Sequence, residues 1–266
     1  MTSAVPSHLS VRLAEPLARH TALRTGGPVE AFVVAHDESA LCEAAGDLGR
    51  SSWTWRVLGA GTRTVAKDAG LSGAVVRLGT GFSCVTQESD HVRVGAAVPV
   101  PALVAWAAQR NLGGIEKLVG VPGSVGASAV LDAGWDRVAV GARALIRGRI
   151  RDTSLAEAIR ARVLTEITLQ LLESGPGVVA RKIAVGWRKA RPGAVLSGVK
   201  DVRSVVRFAP LEEVRLRDVL IPVSGPELMV NLGEGTAADV LLLHRSVIDR
   251  VERFQGIRLE SEIQWV

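Results

Sequence analysis

The 266-residue chain contains no tyrosine, so no phenol is available to donate a proton or to stack on a ligand. Only two cysteines are present. Cys42 and Cys84 lack CxxC spacing, and they read as free thiols of a reducing compartment rather than as a disulfide or a metal pair. No apolar run reaches the roughly 18 residues that a membrane span needs. The stretch from Met1 to Arg12 lacks the basic start and apolar centre of a signal peptide. Together these absences lead us to expect a cytosolic, cytoplasmic protein with no membrane partner. His8, His20, His36, His91 and His244 show no metal-ligand spacing, so no metal site is expected. No Gly-x-Ser-x-Gly elbow supports a serine hydrolase. The basic residues are spread along the chain and no aromatic platform accompanies the arginines, so nucleic acid is not an expected partner.

Apolar residues make up 47% of the chain, enough for a substantial core, and the net charge is +5 with arginine well ahead of lysine. The densest basic cluster is Arg143, Arg147, Arg149 and Arg151. It is either a solvated face or a site for an anionic small molecule. The length suits two small domains, and a composition shift at Glu173 to Gly177 marks a linker between them.

Hydrophobic periodicity outlines the elements. Val29 to Ala35 reads as a buried strand. Asp37 caps a helix that buries Leu41, Ala44, Ala45 and Leu48 and ends at Gly49. Trp55 to Leu58, Ala74 to Leu78 and His91 to Val94 read as strands. Pro101 opens a helix carrying Leu103, Val104, Ala107 and Ala108 that Gly113-Gly114 stops. Arg162 to Leu172 reads as a strand. Arg203 to Pro222 alternates without a clear assignment. Thr236 and Asp239 form a capping-box pair ahead of Val240, Leu243, Val247, Val251 and Phe254, and Gly256 closes that helix. Arg258 to Val266 alternates as a strand, with Leu259, Ile263 and Trp265 on one face.

Two loops carry the chemistry. Gly120-Val-Pro-Gly-Ser-Val-Gly-Ala-Ser128 is stiff and poor in side chains, so its backbone N–H groups can approach a ligand. Leu58-Gly-Ala-Gly-Thr-Arg-Thr64 has the same character. Gly59 and Gly61 superficially suggest a nicotinamide fingerprint, but the third glycine position is Thr64. The alternatives are a backbone nest for a pyrophosphate, with the Thr62 and Thr64 hydroxyls as added donors, or a plain tight turn. The small and apolar stretch Ala129 to Gly134 could pass beneath a flat ring.

These motifs resemble those of the UDP-N-acetylmuramate dehydrogenase (UDP-N-acetylenolpyruvoylglucosamine reductase) family, FAD enzymes of peptidoglycan synthesis. His20-Thr-Ala-Leu-Arg-Thr-Gly-Gly27 is similar to the family's Asn-Thr-Phe-Arg-x-Gly-Gly. Leu58 to Thr62 is similar to Leu-Gly-x-Gly-Ser. Val119 to Ser128 resembles Gly-Ile-Pro-Gly-Thr-Val-Gly-Gly-Ala, and Leu131-Asp-Ala-Gly134 resembles Met-Asn-Ala-Gly. Val230-Asn-Leu-Gly-Glu-Gly-Thr-Ala-Ala-Asp-Val240 resembles Val-Asn-x-Gly-Gly-Ala-Thr-Ala-Ala-Asp-Val. Glu260-Ser-Glu262 stands where the family has Glu-x-Glu.

The resemblance implies an α+β fold with a two-lobed FAD-binding domain of the PCMH type over residues 1–172. Its lobes would cover about 1–78 and 79–172, with a smaller α+β substrate-binding domain over 178–266. It implies FAD as cofactor and NADPH as electron donor. FAD would contact Thr21, Arg24, Gly59, Ala60, Gly61, Thr62, Arg63, Thr64, Val119, Gly123, Ser124, Gly126 and Ser128. In the family a serine in Ala-Gly-Ser-Phe-Phe-Lys-Asn-Pro protonates the carbanion formed by hydride transfer. The matching stretch here, Pro192 to Val199, puts Ala194 in that place, and a methyl group donates no proton. Ser197 substitutes only if the loop shifts by three residues. Ile150-Arg-Asp-Thr153 stands where the family has Tyr-Arg-x-Ser. Arg151 is the expected anion clamp and Glu262 the expected acid, base or enolate stabiliser. The segment between Gly134 and Arg151 is shorter than in the family. Three functions follow as expectations. They are an FAD-dependent oxidoreductase with an altered centre and a different, anionic small-molecule substrate, the ordinary reductase with a relocated proton donor, and a flavin-binding protein without redox turnover.

Overall fold

The structure, a computed structural model, describes residues 8–131, 134–161, 163–189, 196–197, 214–222, 228–261 and 263–266. The chain forms two compact units. The first takes Met1–Ala14, Glu30–Ala60 and Ser72–Ala190, and the second takes Glu15–Val29, Gly61–Leu71 and Arg191–Val266. Among the described residues no helix is long and apolar enough to cross a membrane.

The first unit carries two sheets. One orders its strands Leu9–Pro16, Pro28–Ala35, Leu71–Leu78 and Trp55–Val57. The other orders Arg149–Thr153, Ala139–Ile146, Leu164–Leu169, His91–Gly95 and Val85–Glu88, with antiparallel neighbours throughout. The helix Glu38–Arg50 begins where expected, with the Asp37 side chain accepting the Ala40 N–H at 2.8 Å. It runs one turn's fraction past Gly49, to a cap at Ser51. Ala40, Leu41, Ala44 and Leu48 are buried in a core with Ala31, Val33, Ala74 and Val76. The strand Ala139–Ile146 contributes to two cores. Leu145 joins this core, whereas Ala142 and Ala144 join a second one around the helix Val100–Gln109. A strand alternates sides at every residue, so small residues on one side let the helical layer pack close.

Three expectations give way in this unit. The helix opened by Val100 and Pro101 ends at Gln109, because Leu112–Gly113 is extended and pairs with Leu172–Glu173. The expected strand from Arg162 is Leu164–Leu169. The expected linker from Glu173 leads directly into a helix, Val178–Lys189. Its apolar positions are interleaved with Arg181, Lys182 and glycine, which hid the helical period.

The second unit packs around the helix Ala237–Gln255. Val240, Leu243, Val247 and Val251 lie on its buried stripe against Val65, Val219, Ile221, Leu259 and Ile263. Phe254 instead is 59% exposed, because the last turn runs beyond that core. Trp265 is also largely solvent-facing, with its ring edge-on to His244 at 6.1 Å. The C-terminal stretch is two short strands. Glu260–Ser261 pairs antiparallel with Leu196–Ser197, and Gln264–Trp265 pairs parallel with Thr64–Val65. Most of the stretch Arg203 to Pro222 falls outside the described residues. Its described end, Val214–Leu216 and Val219–Ile221, forms an antiparallel pair.

The helix start is a complete capping box. The Thr236 hydroxyl accepts the Asp239 N–H at 3.1 Å, and the Asp239 carboxylate accepts the Thr236 N–H at 3.0 Å. The donors from Thr236, backbone first and hydroxyl second, hold the Asp239 carboxyl below its ordinary value despite burial, with Arg217 assisting. A carboxyl lowered on folding stabilises the protein above its unfolded value and loses that contribution as pH falls through the folded one. Asp239→Asn is therefore expected to cost about 1 kcal/mol at neutral pH and progressively less below about pH 4. Urea unfolding of both proteins along a pH series checks this, and a gap that does not narrow in acid refutes it.

Candidate functional site

In the first unit the two glycine loops meet. A Cβ on Gly59 would lie 2.8 Å from the Ala127 Cβ and 2.9 Å from the Ser124 Oγ. Nothing larger than hydrogen fits there. Gly126 is equally confined, with a Cβ falling 2.9 Å from that of Ala96. The second loop is tied to the chain just before the helix Val100–Gln109. The Val125 and Gly126 N–H groups donate to the Val98 and Ala96 carbonyls at 2.8 and 2.9 Å, and the Gly123 carbonyl accepts from Val100 at 2.9 Å. Two amides expected to face a ligand are therefore engaged by the fold itself. The N–H groups of Gly123 and Ser124 have no hydrogen-bond partner among the described residues.

Two further expected contacts sit inward. Val119 belongs to the core. Ser128 is fully buried, and its hydroxyl accepts the indole N–H of Trp135, itself buried, at 3.0 Å. A buried indole N–H needs an acceptor; Ser128 supplies it and keeps its own hydroxyl proton to donate.

Arg151 lies on the edge strand Arg149–Thr153, opposite Ala144, exposed and without an ion pair among the described residues. Arg149, two residues away, shares its side of the strand. Arg143 does not act with them. It grips the Glu38 carboxylate with two nitrogens, one at 3.0 Å, and approaches Asp152 at 3.3 Å. Arg147 sits with Gly148 in the hairpin turn. The basic cluster thus resolves into one neutralised arginine, Arg143, and three without an ion pair among the described residues.

A cavity of about 260 Å³ lies elsewhere in this unit, between the start of Glu38–Arg50 and the outer face of the five-stranded sheet. None of the expected flavin residues lines it. Its charges satisfy one another. Arg93 pairs with Glu166 at 2.8 and 3.1 Å, and Arg143 pairs with Glu38. The Glu166 carboxylate, by hydrogen bond and charge, raises the Arg93 pKa above its ordinary value. The cavity is a salt-bridged sheet face, and we give the chemistry to the glycine loops.

In the second unit the segment from His20 to Gly27 forms a tight turn over Gly61. Gly61 has φ +67°, and a Cβ there would fall 2.0 Å from the His20 carbonyl oxygen. The Gly61 carbonyl accepts the Ala22 N–H at 3.0 Å. Thr21 is buried, and its hydroxyl donates to the Thr25 carbonyl at 2.8 Å while accepting the Thr25 N–H at 3.1 Å. Arg24 occupies the left-handed region at φ +52°, a conformation that costs a non-glycine residue about 1 kcal/mol or more. Its guanidinium is exposed, with no partner among the described residues. Arg63 is buried, and its carbonyl accepts the Gln264 N–H at 2.7 Å. Thr62 and Thr64 are half-buried. The consecutive N–H groups of Gly59, Ala60, Gly61 and Thr62 have no partner among the described residues, and successive main-chain N–H groups are the donor type that anion-binding loops use.

Sequence reasoning missed three residues here. Thr25 carries a buried hydroxyl with no partner among the described residues. Asn231 reaches from the C-terminal motif to the Leu23 carbonyl at 2.8 Å. Asp68 accepts the N–H groups of Ala237 and Ala238 at 2.8 and 3.1 Å, completing the helix start. The last two act across 208 and 169 residues of chain, and no local pattern reveals such pairs. Glu262 and Ala194 lie outside the described residues. Among those that are described, no cluster of His, Cys, Asp and Glu could hold a metal.

The residue types, on two observations, suit a flavin dinucleotide. The free amides of the first loop and the orphaned Thr25 hydroxyl both want an oxygen-rich partner, and the glycine contacts keep side chains out of the way. The family described as FAD binding domain matches residues 29–151. UDP-N-acetylenolpyruvoylglucosamine reductase 2 of Symbiobacterium thermophilum is 31% identical, across 96% of this chain and 91% of that protein. The reductase of Syntrophotalea carbinolica is 30% identical, across 97% and 95%. The crystal structure of UDP-N-acetylenolpyruvylglucosamine reductase from Thermus caldophilus shares the fold, with a TM-score of 0.78 at 24% identity over 97% of this chain and 98% of that one. The fold and the domain define an FAD-dependent oxidoreductase of α+β architecture. Within that class, the chain belongs to the UDP-N-acetylenolpyruvoylglucosamine reductase family.

Glycine substitutions test the loop geometry. Gly61→Ala meets both a strained φ and the His20 carbonyl, and we expect it to lose about 1–3 kcal/mol of stability together with FAD affinity. Gly49→Ala, helical and with nothing near its Cβ position, is expected to gain up to about 1 kcal/mol and to bind FAD as before. Thermal unfolding and flavin titration of both variants decide. A Gly61→Ala protein that matches wild type in both measurements overturns the account.

Proposed function

We propose that the protein is a member of this family altered at its reacting centre, and that it reduces a substrate other than the enolpyruvyl-UDP sugar in a biosynthetic pathway. The reading is carried by the match of Pro192 to Val199 with the family motif, which would put Ala194 at the serine position, and by the lack of any tyrosine in the chain. Neither a methyl group nor an absent phenol can hand a proton to a substrate carbanion.

FAD, when bound, would supply hydride chemistry, with NADPH as the proposed donor. The chain's own groups hold and orient. The free amides of Gly59 to Thr62 and the Thr62 and Thr64 hydroxyls would hold the pyrophosphate, joined by the Arg24 guanidinium. Thr21 acts one step back, because its hydroxyl is taken up in fixing Thr25. Ala60, Gly123, Ser124 and Gly126 would provide close backbone contact. Arg151, exposed and without a counter-charge among the described residues, would clamp an anionic group on the substrate, and its fork suits a carboxylate. Glu262 would serve as acid, base or enolate stabiliser. The proposed partners are therefore a small anionic substrate and the nucleotide cofactor.

A second reading has one observation in its favour. The backbone of Ser197 pairs with that of Glu260, two residues before Glu262 in sequence. That pairing brings a serine to the strand that leads to the proposed catalytic glutamate, as the ordinary reductase with a relocated proton donor requires.

Anaerobic stopped-flow mixing separates these readings. We expect a yellow protein whose flavin bleaches with NADPH, no turnover of enolpyruvyl-UDP-N-acetylglucosamine, and a gain of that turnover in Ala194→Ser. Turnover by wild type that disappears in Ser197→Ala establishes the second reading instead. A flavin that NADPH never reduces points to binding without redox chemistry. On whichever substrate is turned over, Arg151→Ala is expected to lower kcat/KM by about 10²-fold, and an unchanged value removes Arg151 from the site.

A further inference from the structure

We infer that Asn231 is a positioning residue for cofactor binding, acting through Leu23 on Arg24. The inference rests on the proposed role of the His20 to Gly27 turn in holding FAD. The Asn231 carboxamide is fully committed. Its Nδ2 donates to the Leu23 carbonyl and to the Gly235 carbonyl, each at 2.8 Å. Its Oδ1 accepts the N–H groups of Gly233 and Gly235 at 3.1 and 3.0 Å. A carboxamide has two N–H donors and one oxygen with two lone pairs, so no capacity is left over. Two carbonyls on one side and two N–H groups on the other admit a single orientation of the amide. An aspartate would turn a charged oxygen toward two carbonyls, and a glutamine would need room that is absent. A Cβ on Gly235 would already lie 2.8 Å from Oδ1.

Three of these bonds close the loop from Asn231 to Gly235 on itself. The fourth does nothing for that loop and reaches Leu23, 208 residues earlier in the chain. Leu23 immediately precedes Arg24, whose φ of +52° is unfavourable for a residue with a side chain. Such a conformation persists only where its surroundings over-determine it. Here the carbonyl before Arg24 is held by Asn231, the Arg24 N–H donates to Thr21 at 3.1 Å, and the following residue, Thr25, is clasped by the Thr21 hydroxyl. The exposed guanidinium thus springs from an immobilised backbone and makes no ion pair among the described residues. A fixed planar fork with free donors suits a phosphate oxygen pair.

The test titrates flavin-free full-length protein with FAD, and separately with riboflavin, which lacks both phosphates, well below the melting temperature. Asn231→Asp keeps the side-chain volume and removes the two donors. Asn231→Ser serves if that variant does not fold. Val247→Ala, in the second unit's core, provides a control of comparable destabilisation. We expect either Asn231 variant to weaken FAD about ten-fold or more while leaving riboflavin affinity within about two-fold. Arg24→Ala should do the same, and the double variant should be no weaker than the worse single. An FAD loss no larger than that of Val247→Ala, or losses at Asn231 and Arg24 that simply add, overturns the inference. Wild-type protein that binds no FAD would overturn the cofactor placement itself, and with it this role for Asn231.

Discussion

Backbone lies against its neighbours with no side chain between at the loop from Leu58 to Thr64, and the local architecture depends on that exclusion. Gly59 presses on Ser124 and Ala127, and Gly61 presses on the His20 carbonyl. Each contact is closed to any residue with a Cβ. The result is a stretch of main chain whose N–H groups, from Gly59 to Thr62, find no partner among the described residues. Leaving a donor unmatched costs about 1–3 kcal/mol where water is kept away. A loop with several such donors is therefore either wet or filled by an anion. The Thr25 hydroxyl is buried and unmatched among the described residues. These unmatched groups support the proposed placement of a polyanionic cofactor.

The second unit gathers three separated stretches, Glu15–Val29, Gly61–Leu71 and Arg191–Val266. Its side-chain bonds run between them at defined points. Asp68 caps the helix Ala237–Gln255, Asn231 holds Leu23, and the last strand pairs with Thr64–Val65. Each tie joins a residue close to the proposed flavin contacts to the C-terminal segment. The motif from Val230 to Val240 thereby gains a physical reading. Its asparagine, its glycines and its Thr-x-x-Asp pair make a loop that is saturated in hydrogen bonds and ends in a capped helix, and it needs no contact with substrate to be required.

Much of this was legible from residues whose signal is local. The Asp37 cap, the Thr236–Asp239 box and the Gly256 stop act within one turn, and the corresponding helices begin and end where their chemistry demands or within a residue or two. The glycine loops were legible too, because glycine at a crowded point announces itself. The failures are of another kind. Ser128 was legible as a ligand contact because it follows a glycine loop, but its bond to the Trp135 indole, seven residues away, was not. Val178–Lys189 was hidden because basic residues and glycine interrupt its apolar face. Arg143 looked equivalent to Arg151 until Glu38, 105 residues distant, neutralised it. For Arg143 the deciding partner lies far outside the window in which periodicity operates.

The two halves of the proposed site tolerate sequence change differently. A cradle made of main-chain N–H groups is preserved as long as nothing grows where glycine stands, and the flanking side chains can drift without loss. A reacting centre is made of particular functional groups and has no such tolerance. On the reading proposed above, an alanine at the serine position would leave no proton to give, and a chain without tyrosine has no phenol to supply one. Such a change would bear on the reaction and leave a main-chain cradle untouched. Arg151, still exposed and still without a counter-charge among the described residues, marks what the altered centre would still ask of a substrate: an anionic group within reach of the edge strand Arg149–Thr153.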